Sequence, residues 1–180
     1  KFCKLYTSWL NELSKHVKIT LHHINSANHG ELRPHNSTRG EFPAEDMERL
    51  IEFYVKDVLS NNERIYVERH EKGQAIFKLA GFDVIGLHGH QIKNNKTALK
   101  DLSFLHKKFF SAVFMGHFHH GSALTVGEYT GHNMEVIQVP SVMGSDEYAD
   151  QLMVGAKAGA SLHIFEEGTG RTVGYNIILK

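Results

Sequence analysis

The stretch MGHFHHG, residues 115–121, sets three histidines in the four positions between two glycines, directly after the strand-like run SAVFM. Two other apolar runs end the same way. VKITLHHI (17–24) leads to Asn28 and His29, FDVIGL (82–87) leads to His88 and His90, and SAVFM (111–115) leads to His117 and His119. Imidazole nitrogen and amide oxygen suit a divalent cation of borderline softness, and loops at the ends of adjacent strands hold such groups around one point. The expectation is a fold that brings these strand ends together.

Periodicity supplies the elements. Leu5, Trp9, Leu10 and Leu13 recur at helical spacing, which predicts a helix over 5–16, followed by a strand at 17–24. Residues 25–43 show no period and read as a long loop. From Pro43 a second helix is expected, because Met47, Leu50, Ile51, Tyr54, Val55, Val58 and Leu59 form a stripe and acidic residues fill the first turn. RIYVER, QAIFKLA and FDVIGLHG then read as strands, 97–109 as a helix, and SALTVGEY, NMEVIQVP, SLHIFEE and TVGYNIILK as strands joined by turns. The acidic run SDEYAD (145–150) reads as a helix start or a solvated turn. The expected class is α/β, a mixed β-sheet sandwich flanked by helices, in a single domain spanning 1–180.

Composition narrows the function. Twenty Lys plus Arg balance twenty Asp plus Glu, and no basic block stands out, so a broadly basic nucleic-acid surface is not advertised. One cysteine, Cys3, excludes an internal disulfide and a cysteine-based zinc cluster, which agrees with a cytoplasmic location. No apolar run approaches the roughly 18–20 residues that span a bilayer, so no membrane association is expected. Fourteen histidines are the compositional oddity.

ANHGE (27–31), LHG (87–89) and GHFH (116–119), in that order and each after a strand, resemble the last three metal motifs of the calcineurin-like metallophosphoesterases, over about residues 17–140. The resemblance implies an α/β/β/α sandwich and a dinuclear centre. Asn28, His88 and His117 would bind one metal, His119 the other, and His29 would act as the catalytic histidine on the phosphoryl group or the leaving oxygen. Two divalent ions drawn from Mn, Fe, Zn or Ni are implied, with Mn favoured. The substrate would be a phosphate mono- or diester, nucleic acid or a nucleotide among the candidates. Arg33, His90 and His120 are the substrate-side candidates, although His90 competes with His88 for the ligand role.

The family's first two motifs, Asp-x-His and Gly-Asp-x-x-Asp, occur nowhere in the 180 residues. Ala27 and Gly30 also stand where the family carries Gly and an acid. The expectation is a chain lacking the N-terminal part of the domain, with one metal position nearly complete and little activity alone. The alternative is a non-catalytic scaffold or interaction module of the same fold. His-x-His-x-Asp-His and His-Glu-x-x-His are both absent, which sets aside the metallo-β-lactamase and zincin patterns.

Overall fold

A computed structural model describes residues 1–25, 30–32, 34–38, 41–42, 45–70, 73–144 and 155–179. Its contacts divide into two compact units, Lys1–Ala75 and Ile76–Lys180.

In the first unit, α1 (Phe2–Ser14) and α2 (Met47–Leu59) accompany two parallel strands, β1 (Ile19–His22) and β2 (Ile65–Glu68). Helix α1 begins earlier than the leucine spacing indicates, because Phe2 stacks on Tyr6 one turn on, centroids 5.6 Å apart. Helix α2 starts where Asp46 caps it, its carboxylate accepting from the Glu48 N–H at 2.9 Å. Leu10, Val55, Leu59, Ile65 and Val67 close the core of this unit. Its rim is tied by Asn62, whose Nδ2 donates to Asn11 Oδ1 at 2.8 Å and Ser14 Oγ at 2.9 Å.

The second unit is built on a five-stranded sheet in the order β3-β4-β5-β7-β6. Its strands are β3 (Gln74–Leu79), β4 (Phe82–Leu87), β5 (Ala112–Met115), β6 (Ser122–Tyr129) and β7 (His132–Gln138). Strands β4, β5 and β7 are parallel and β6 is antiparallel to β7. Positive φ at both Ala80 and Gly81 (49° and 87°), and again at Thr130 and Gly131 (47° and 85°), gives the tight turns that link β3 to β4 and β6 to β7.

Alternation assigns the two faces of this sheet. Ile85, Val113 and Val136 meet Leu99 and Leu102 of α3 (Asn95–His106), while Val84, Ala112 and Ile137 meet Phe165 of the hairpin β8 (Gly159–Glu166) and β9 (Gly170–Ile178). The mixed α/β class is as expected. Helix α3 is shifted toward the N-terminus relative to 97–109, because Asn94 caps it through the Lys96 N–H at 3.0 Å and Lys107 turns left-handed at φ 50°. The SDEYAD run lies outside the described residues. Among the described residues, no helix is long and apolar enough to cross a membrane.

Candidate metal centre

The parallel register pairs Leu87 of β4 with Met115 of β5, so the segments leaving these strands, His88-Gly89-His90 and Gly116-His117, start side by side. The three imidazoles converge. Ring centroids lie 5.0 Å apart for His88 and His117, 5.3 Å for His88 and His90, and 6.2 Å for His90 and His117.

Backbone conformation makes this possible. Gly89 sits at φ +99°, and a Cβ there would lie 3.2 Å from Met115 Cβ and 3.3 Å from both Gly116 O and Phe118 Cε2. Only glycine lets the chain reverse between two histidines at that distance from its neighbour. In the next turn the Phe118 N–H donates to Gly116 O at 2.8 Å, closing a three-residue turn centred on His117, whose φ is 67°. Such turns are rare and strained, and His119 follows at φ 61°. Two non-glycine residues in left-handed conformation within three positions are backbone strain held by the surrounding sheet, a feature that clusters at functional sites.

His119 is half-buried, and its Nδ1 is buried without a hydrogen-bond partner. His120 is exposed. Asn28, His29 and Arg33 lie outside the described residues.

A second grouping, in the first unit, was not anticipated from the sequence. His22 and Glu68 are register partners across β1 and β2, and His70 lies two residues beyond Glu68. His22 Nδ1 is 3.0 Å from His70 Nε2 and 3.3 Å from Glu68 Oε2. His23 points the other way, Nε2 against Glu48 Oε2 at 3.0 Å. Burial pushes the His22 imidazole below its ordinary value, Glu68 pulls it up and His70 pushes it down. Among the described residues, this is the group whose three donor atoms all lie within 4.8 Å of one another. The trio at His88, His90 and His117 has the donor types for a cation, with its ring centroids 5.0–6.2 Å apart.

Fold and site together define a mixed α/β chain with histidine-rich donor groups at strand ends. It is 55% identical over 179 residues to the SPbeta prophage-derived uncharacterized protein YonJ of Bacillus subtilis, covering 99% of this chain and 44% of that one. The chain thus spans less than half the length of this curated relative. No protein-family model matches. Among solved structures, a single mutant of Vps29 from Entamoeba histolytica aligns with 96% of this chain and 89% of its own at TM-score 0.49 and 13% identity. A novel archaeal phosphodiesterase aligns with 94% and 74% at TM-score 0.45 and 14% identity. Zinc-complexed wild-type Vps29 from Entamoeba histolytica aligns with 81% and 83% at TM-score 0.42 and 16% identity.

Proposed function

We propose that this chain carries the histidine-bearing part of the metal centre of a phosphoesterase, acting on phosphate mono- or diesters. The observation that carries the reading is the convergence of His88, His90 and His117 beside a strained Gly-His-Phe-His turn. The neutral imidazole is the form in which histidine ligates a metal.

In this reading His88 and His117, with Asn28, hold one divalent ion, and His119 contributes to the other. His90 and His120 face substrate or supply an alternate ligand, and Arg33 meets phosphate. Bound divalent ions supply charge to phosphoryl oxygens and a water nucleophile. His29 holds the proton that goes to the leaving oxygen. Mn2+ is the favoured ion, and the substrate class extends to nucleotides and nucleic acid. The carboxylates of an Asp-x-His and a Gly-Asp-x-x-Asp motif, which do not occur in these 180 residues, would have to be supplied from outside them.

The test is hydrolysis of bis-p-nitrophenyl phosphate and p-nitrophenyl phosphate in Mn2+, for the 180-residue chain and for a longer form carrying upstream sequence. Hydrolysis abolished by chelator and by His117→Ala supports the reading. A folded, Mn-loaded longer form that hydrolyses neither ester would leave the scaffold alternative.

A further inference from the structure

The first unit contains a donor set that the phosphoesterase reading does not use. We propose that His22, Glu68 and His70 form a mononuclear site for a divalent transition ion of borderline softness, Zn2+ foremost.

The first argument is spacing. Zinc holds imidazole nitrogen and carboxylate oxygen at about 2.0–2.2 Å in a tetrahedron, which puts neighbouring donor atoms about 3.3–3.5 Å apart. His22 Nδ1 lies 3.3 Å from Glu68 Oε2 and 3.0 Å from His70 Nε2, and all three donors fall within 4.8 Å of one another. Shifts of a few tenths of an ångström bring the two measured edges to that spacing, and the third edge is at most 4.8 Å. The fourth corner is left for water or a small ligand, as in sites with three protein ligands.

The second argument is hydrogen-bond arithmetic. His22 Nδ1 has one in-plane direction, occupied either by a proton or by a lone pair, yet it faces both a carboxylate oxygen and another ring nitrogen. If Nδ1 accepts a proton from His70, its lone pair confronts the Glu68 carboxylate. If it donates to Glu68, the His70 nitrogen is left to share the same proton. A cation at the centre takes a lone pair from each of the three.

The third argument is construction. Parallel pairing sets His22 opposite Glu68, and the period of a strand returns His70 to the same side. His70 is buried, and its carbonyl accepts from Asn25 Nδ2 at 2.7 Å, while the same amide donates to Glu52 Oε2 at 2.8 Å. Both Asn25 and Glu52 are buried, so the backbone beneath one ligand is anchored from α2. Anchoring of this kind is what fixes a ligand's orientation in metal sites.

The experiment uses the 180-residue chain stripped of metal and titrated with Zn2+. Long-range nitrogen–proton spectra of the assigned histidine rings are recorded alongside equilibrium dialysis. The wild-type chain should show His22 Nδ1 and His70 Nε2 moving to metal-bound positions. Glu68→Gln, at a side chain 38% exposed and therefore tolerant of the change, should weaken that site about tenfold or more. In His117→Ala the His22 and His70 shifts should persist, which separates this site from the phosphoesterase centre. Zn2+ that moves only the rings of His88, His90, His117 or His119 overturns the proposal, as does equal affinity in Glu68→Gln.

Discussion

The imidazoles of His88 and His117 meet edge to face, 5.0 Å between centroids and 66° between planes, although 28 residues separate them in sequence. Their meeting depends on the register that sets Leu87 beside Met115. Replacing either ring with alanine should lower Mn2+ or Zn2+ affinity of this centre by about 100-fold, since even the loss of an outer partner costs 10–100-fold. Isothermal titration of His88→Ala and His117→Ala checks this, and unchanged affinity in both would remove the centre from this place.

Gly89 is the hinge of the same centre. Alanine there meets a left-handed φ of +99° and a Cβ only 3.2 Å from Met115 Cβ. The conformational cost alone is about 1–2 kcal/mol. Gly89→Ala should lower the thermal midpoint and weaken metal binding together, whereas Gly131→Ala, at a turn with nothing within 4 Å, should lower stability and leave metal affinity untouched.

Arg171 of β9 grips the carboxylate of Glu135 on β7 with two parallel hydrogen bonds, Nε to Oε2 at 2.7 Å and Nη2 to Oε1. Glu135 is only 4% exposed. Arg171→Met should cost about 3–5 kcal/mol in denaturant unfolding, because it strands a buried carboxylate. The double replacement Glu135→Leu with Arg171→Met should recover much of that loss. Equal losses in the single and double variants would show that packing of the arginine stem, rather than the charge pair, holds the hairpin to the sheet.

His163 is half-buried, and both of its ring nitrogens are buried without a hydrogen-bond partner. Burial pushes its pKa below the ordinary 6.5, the Arg171 charge lowers it further, and Glu135 pulls it up. The unfolded chain therefore binds more protons than the folded one as pH drops below about 6.5, and linkage makes stability fall in that direction. The loss begins near the unfolded value and levels off below the depressed folded value. His163→Phe should flatten this part of the stability–pH curve, measured by urea midpoints between pH 7 and 5. An unchanged slope would place the acid sensitivity in other histidines.

The sequence by itself determined the element order of the described strands and the three helices, because these patterns are local: the apolar run of FDVIGL, the stripe from Met47 to Leu59, and tight turns at Ala80-Gly81 and Thr130-Gly131 are each contained within a short stretch. It also marked His88, His90 and His117, since each follows the end of an apolar run. Helix ends moved by two to four residues where a cap decided them, as at Asp46, Asn94 and Lys107. The grouping of His22 with Glu68 and His70, and the clasp of Arg171 on Glu135, were decided only by the tertiary structure. Each joins residues 36 to 48 positions apart through strand register and sheet packing, and no local pattern encodes which strand lies beside which.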